Sequence, residues 1–253
     1  MKEWIEFWDK ENVVDEKVWE ENAKLFFSNT LKVWSYDKDD IVLDIGCGKG
    51  YFAELIAEKV KELHLVDTSE NCITHCKEKL KHLDNVFFHK LCEKDYTNLK
   101  FLNIKFTKII CLSVIQYFRN FKEVEELIMQ CEKISADQGQ LLIADIPLYA
   151  NPLYDAYSLV NRGVRLGTLR QTINFLLRTT FGEYSKIRKK VGITKFCPKH
   201  FKSYLDNKGL EHEIHFKITT FDSVSRFNLL IKFNKIRLQK RIPKNDHLRK
   251  SFH

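Results

Sequence analysis

Three glycines at alternate positions behind an acid, in the run Asp44-Ile45-Gly46-Cys47-Gly48-Lys49-Gly50, form the stretch of this sequence best suited to holding a ligand. Glycine permits positive φ and lets the backbone approach a bound molecule where a Cβ would collide. The run continues Ile41-Val42-Leu43, so Asp44 closes a short apolar strand, and its carboxylate can attract the ammonium of an amino-acid group directly or through water. Seventeen residues past Gly50, Asp67 closes a second apolar run, Leu63-His64-Leu65-Val66. A carboxylate at that place accepts hydrogen bonds from two ribose hydroxyls. Together the turn and the two acids describe a site for a nucleoside that carries an amino acid.

A dinucleotide site also pairs a glycine turn with a ribose-binding acid, so it is the competing chemistry. Its fingerprint, G-x-G-x-x-G, cradles a pyrophosphate on a helix N-terminus. Here the third glycine comes one position early and Tyr51 fills the slot that must be small. Asp44, two residues before the first glycine, would repel a pyrophosphate.

These residues resemble the opening motif of the class I S-adenosylmethionine-dependent methyltransferases, and in particular their small-molecule members that modify surface carbohydrates. The resemblance covers residues 37–147 well and 198–233 loosely. It implies S-adenosylmethionine as cofactor and S-adenosylhomocysteine as product. It also implies an α/β fold, a Rossmann-like seven-stranded, mostly parallel sheet with helices on both faces. Asp44, Gly46, Cys47, Gly48 and Gly50 would line the methionine portion, Asp67 would hold the ribose, and Thr68 would lie against the adenine. The family often has an acid after the third strand that meets the adenine amino group; strand offset puts Cys92 there, with Glu93 beside it. The run from Cys111 to Phe118 resembles the small-molecule pattern, with Ser113 near the methyl donor, and not the Asn/Asp-Pro-Pro-aromatic motif of amino-methylating nucleic-acid enzymes.

A sulfonium methyl is already activated, so positioning supplies much of the rate, and a hydroxyl acceptor gains from a base that removes its proton. His200 and Asp145 are the candidate bases; Tyr117 and Tyr149 are candidates to shape the acceptor pocket, with Trp4, Trp8, Tyr154 and Tyr157 as further aromatic walls. No His/Asp/Glu cluster has metal-ligand spacing, so a metal-free site is expected. Arg162, Arg165, Arg170 and Arg178 can fork onto phosphate or carboxylate oxygens, which points to an anionic small-molecule acceptor such as a sugar nucleotide, sugar acid or phosphorylated precursor of surface carbohydrate. RNA methylation is the alternative, and a non-catalytic cofactor-binding protein on the same fold is the alternative of another class.

Strands alternating with helices must position these residues. Strands are expected at Ile41–Ile45, Leu63–Val66, Val86–Phe88, Phe106–Leu112, Gln140–Ala144, His212–Ile218 and Arg226–Phe233, with helices near Glu70–Lys81, Lys122–Ile134 and Pro198–Asn207. The glycine turn then lies at the carboxyl edge of the sheet, where ligands bind. The expected organisation is an N-terminal helical cap over 1–36, a cofactor-binding core over 37–147, a helical substrate cover over 148–197, completion of the sheet over 198–233 and a basic tail over 234–253.

The formal net charge of +8 is unevenly distributed: residues 162–202 sum to +10 and 232–250 to +7, leaving an acidic body of −9. Such segregation suggests an anionic substrate, nucleic acid or an anionic surface. Seven cysteines without paired zinc-like spacing read as reduced thiols. No apolar run nears the roughly 18 residues of a membrane span, and the first thirty residues lack the pattern of a secretory signal, so a cytoplasmic address is expected, with a homodimer as one possible state.

Overall fold

Apolar runs punctuated by glycine and polar turns build a seven-stranded sheet in this computed structural model, which describes residues 2–10, 16–148, 152–216 and 225–234. The strands are β1 (Ile41–Ile45), β2 (Glu62–Asp67), β3 (Val86–Lys90), β4 (Phe106–Leu112), β5 (Ser135–Pro147), β6 (Glu211–His215) and β7 (Arg226–Phe233), in spatial order β3-β2-β1-β4-β5-β7-β6. The first five are parallel, and β7 runs antiparallel to both β5 and β6. Strand order reverses between β1 and β4, and a crevice outside the carboxyl ends at such a switch point is where open α/β sheets bind ligands.

Period-two alternation sends the strand residues into two cores. Leu43, Ile45, Ile109, Cys111, Leu141 and Ile143 pack on one side with α5 (Phe121–Ile134) and α9 (Pro198–Lys208). Val42, Leu63, Leu65, Ile110, Leu142 and Ala144 pack on the other with α2 (Glu16–Thr30), α3 (Tyr51–Ile56) and α4 (Glu70–Leu80). Strands buried on both faces explain why they read as continuous apolar runs. The fifth strand is longer than its expected 140–144, because the polar turn before it is absorbed as a bulge: Gln138 takes φ 60° and the pairing with β4 skips between Phe106 and Lys108.

Above the carboxyl edge lies a third, aromatic cluster. Trp4 and Phe7 of α1 (Lys2–Lys10) and Val18 of α2 pack with Trp8, Trp19, Tyr117, Phe175 and Tyr184. Phe175 and Tyr184 come from a helical excursion between β5 and α9, made of α6 (Pro152–Arg165), α7 (Leu169–Phe181) and α8 (Glu183–Lys190). The tail from residue 235 and Tyr149 lie outside the described residues.

Candidate active site

The turn after β1 is closed by two donors to one carbonyl: the N–H groups of Gly46 and Cys47 reach Val66 O at 2.8 and 3.2 Å. Two of its glycines cannot be replaced without displacement. A Cβ on Gly46 (φ 72°) would stand 2.3 Å from Val114 Cγ2, and one on Gly50 (φ 76°) 2.9 Å from Cys76 Sγ. Gly50 is also the N-cap of α3, so the turn delivers the helix.

Asp67, ending β2, accepts the Gly48 N–H on Oδ2 (3.0 Å) and the Ser69 N–H on Oδ1 (2.8 Å). Each carboxylate oxygen has further lone-pair capacity, so the pair can still receive two hydroxyls from the cavity. Burial raises its pKa while these backbone donors pull the other way. Asp44 is almost fully buried; its carboxyl is pushed up to about 7 by burial first and by the neighbouring Asp67 charge second. A buried acid with that cost of ionising is matched by an incoming cation. Cys47 also faces the cavity. Its sulfur lies 3.9 Å from Cys76 Sγ, and that contact together with burial raises its pKa, keeping it a neutral thiol.

Beyond the carboxyl ends of β4 and β5 lies a closed hydrogen-bonded ring. Ser113, just past β4, donates its hydroxyl to Asp145 Oδ2 at 2.5 Å. Arg226, the first residue of β7, donates from Nη1 to Asp145 O (3.0 Å) and to Gln116 Oε1 (2.8 Å), and lies 3.7 Å from Asp145 Oδ2. Gln116 Nε2 completes the circuit by donating to Ser113 O at 2.9 Å. Ser113 and Asp145 both adopt positive φ, 57° and 61°. That conformation is uncommon outside glycine and asparagine-like residues, and tends to persist at sites where the surroundings impose it. In β5 the cause is an irregularity in the β7 pairing between Ile143 and Ile146, which turns Asp145 out of the ladder while Asn228 Oδ1 accepts its N–H at 2.9 Å.

One cavity of about 340 Å³ joins these parts. It runs from Asp44, the glycine turn and Asp67, past Thr68, Cys72 and Leu91, to Ser113 and Asp145 beneath Trp4, Trp8, Trp19, Tyr117, Phe175 and Tyr184. The rings brace one another: Trp4 has centroids 4.9 Å from Tyr117 and 5.2 Å from Tyr184, and its Nε1 donates to Gly192 O at 3.0 Å. Burial raises the pKa of both tyrosines, so they stay neutral phenols. A second cavity of about 200 Å³ adjoins the first through Tyr184 and Arg226 and is lined also by Arg188, Lys195 and Asp155.

The residues expected from sequence divide accordingly. Asp44, Gly46, Cys47, Gly48, Asp67, Thr68, Ser113, Tyr117 and Asp145 line the larger cavity, with Gly50 directly behind it. Cys92 and Glu93 are exposed and outside the lining, and Leu91 faces the cavity in their place. His200 is exposed on α9, edge-on to Phe121 at 6.2 Å, and lines neither cavity. Arg162 is buried and donates to Asn22 Oδ1, tying α6 to α2, while Arg165 and Arg170 are exposed; none of the three lines either cavity. Tyr157 is exposed and away from the site. Arg226, Gln116, Tyr184 and Phe175 were not anticipated. Arg226 carried a readable signal, being a cation at the head of an apolar strand whose antiparallel pairing with β5 sets it opposite Pro147.

The donor set fits an aminoacyl nucleoside: a buried acid seeking a cation, a second acid with acceptor capacity for a diol, and an apolar wall between Cys72 and Leu91. Among the described residues, no group of three His, Cys, Asp or Glu side chains could hold a metal ion.

Comparison with known proteins bears on the fold and on the sheet-forming part of the chain. Residues 42–139 match the family model of a methyltransferase domain. An S-adenosylmethionine-dependent methyltransferase from Clostridium acetobutylicum superposes with a TM-score of 0.55 at 15% identity, covering 87% of this chain and 93% of that one. The N-methyltransferase NodS from Bradyrhizobium japonicum, in complex with S-adenosyl-L-homocysteine, gives 0.50 at 16% identity, covering 83% and 84%. Phosphoethanolamine N-methyltransferase 1 from Haemonchus contortus gives 0.55 at 12% identity, covering 83% of this chain and 42% of that one. At these identities the likeness is one of fold.

Proposed function

We propose that this enzyme, a class I S-adenosylmethionine-dependent methyltransferase, methylates a hydroxyl on an anionic small molecule, with Asp145 as the base. The cofactor supplies a sulfonium-activated methyl. Asp44 orients its ammonium, Asp67 its ribose diol, and Thr68, Cys72 and Leu91 form the wall for its base. Ser113 and Arg226 hold the Asp145 carboxylate in the wall of the chamber, where it would take the acceptor proton as the oxygen–methyl bond forms and the sulfur–methyl bond breaks. The aromatic roof excludes water and aligns a ring-shaped acceptor along the line of transfer.

The observation that carries this reading is the Ser113–Asp145–Arg226–Gln116 ring at the far end of the cavity, with Ser113 and Asp145 at positive φ. Support for an anionic acceptor comes from the adjoining cavity: Arg226, Arg188 and Lys195 outnumber Asp155 there, so a phosphate or carboxylate can rest one residue away from the transfer chamber. A sugar acid or phosphorylated sugar, including a precursor of surface carbohydrate, matches that pairing of an aromatic wall and a cationic recess.

Replacing Asp145 with Asn preserves shape and removes the base. Turnover is expected to drop by about 10²–10⁴-fold with little change in cofactor affinity; unchanged turnover would assign proton removal elsewhere. For the recess, an Arg188→Ala/Lys195→Ala variant assayed on charged and neutral versions of one acceptor is expected to raise KM roughly tenfold or more for the charged one alone. Equal effects on both would remove the anion from the proposal. An RNA acceptor is the second reading, favoured by the exposed Lys186, Arg188, Lys189 and Lys190 of α8. Retention of bulk transfer RNA in a gel shift at moderate salt would support it.

A further inference from the structure

Helix α7 serves the site with one face and leaves the opposite face in water. Phe175 and Thr179 point into the chamber, and Thr172 is buried behind them. On the other side Leu169, Ile173, Leu177 and Phe181 recur every fourth residue, and they are 37%, 44%, 52% and 79% exposed. Neighbouring α6 adds Leu153, Tyr157 and Val164, all more than half exposed. The two helices run close, since a Cβ on Gly163 would meet Thr172 Oγ1 at 2.6 Å. Of the fourteen large hydrophobic side chains exposed among the described residues, eight lie between Leu153 and Phe181. Concentration of that kind marks an interaction surface.

The charged residues of α7 itself are all cationic. Helix α7 contains Arg170 and Arg178 and no acid, Arg165 ends α6, and residues 162–202 sum to +10 while the rest of the chain sums to −2. An apolar row flanked by arginines is the composition of a helix that lies in the plane of a membrane interface. Among the described residues no helix is long and apolar enough to cross one.

We propose that the α6–α7 face docks on the surface of an anionic lipid bilayer, with Leu169, Ile173, Leu177 and Phe181 at the boundary of headgroups and acyl chains and the arginines against lipid phosphates. A second copy of this chain is the competing occupant. A two-fold contact through this face would bring each cationic rim against its like, which costs free energy, whereas an anionic bilayer complements it. Docking puts the acceptor chamber one helix diameter, roughly 10 Å, from the membrane.

The test is co-sedimentation of the full chain with vesicles of phosphatidylcholine alone or with about a third phosphatidylglycerol. The protein is expected to sediment with the anionic vesicles and not the neutral ones, and to be released by added salt. An Ile173→Ser/Leu177→Ser/Phe181→Ser variant is expected to lose binding by roughly tenfold or more. Calorimetry with S-adenosylhomocysteine shows whether that variant remains folded; if it does not, Phe181→Ser, at the most exposed position, takes its place. No sedimentation with anionic vesicles, equal sedimentation with both kinds, or binding indifferent to these substitutions would overturn the proposal. So would a dimer in analytical ultracentrifugation that the same substitutions dissociate. Because the cofactor heat is read separately, failure here is distinguishable from failure of the methyltransferase site.

Discussion

Two carboxylates with unlike surroundings, Asp44 buried and Asp67 half-buried, set the chemistry at the scale of single residues. Asp67 keeps a network of backbone donors, whereas Asp44 has burial and a like charge against it and titrates at about 7. The sign follows. Its folded pKa lies above the ordinary carboxyl value of 3.8, so ionising it subtracts stability from the cofactor-free protein as pH rises from that value through about 7. A ligand bringing an ammonium to Asp44 reverses that penalty. Thermal stabilisation by S-adenosylhomocysteine is therefore expected to be several degrees larger at about pH 7.5 than at about pH 5.5. A stabilisation independent of pH would separate Asp44 from the ammonium. Asp67 and Asp44 were readable as cavity residues because both stand at the ends of apolar runs. His200 was not placeable in the same way: a histidine's chemistry depends on what surrounds it, and here the ring is in solvent against Phe121.

At the scale of elements, turns and strand irregularities decide what the side chains can reach. The β1–α3 turn works only without a Cβ at Gly46, which has φ 72° and Val114 pressed against it. A Gly46→Ala change is expected to cost roughly 2–5 kcal/mol, the left-handed backbone and the overlap adding, measured as a fall in the urea midpoint. A loss below about 0.5 kcal/mol would mean the turn relaxes freely. The β5 irregularity that turns Asp145 into the cavity had no sequence signal beyond the Gln138-Gly139 turn near its start. Helix α1 was legible only as an aromatic preface. In the structure it closes the cavity, with Asp9 Oδ1 accepting from Ser69 Oγ at 2.7 Å and Asn71 N at 3.2 Å, which joins it to the start of α4.

Across the whole molecule, the sheet was legible because strands buried on both faces must read as uninterrupted apolar runs, and each of the seven overlaps its expected run, the expected end of the sixth at Ile218 lying outside the described residues. The aromatic end of the cavity was less so. It is assembled from α1, α2, α7, α8 and the head of β7, segments far apart in sequence whose aromatics also satisfy ordinary packing. The arginines that looked substrate-directed on charge alone divide between a buried tie to α2 and the solvent face, while Arg226, outside that cationic run, reaches the site. The central claim, that a crook of backbone between two acids holds an aminoacyl nucleoside, is tested most directly by titrating the folded chain with S-adenosylhomocysteine and with oxidised nicotinamide dinucleotide in a calorimeter. One thioether site per chain is expected, weakened about 10–100-fold by Asp67→Ala, with no heat from the dinucleotide. Heat from the dinucleotide alone, or none from the thioether, would contradict it.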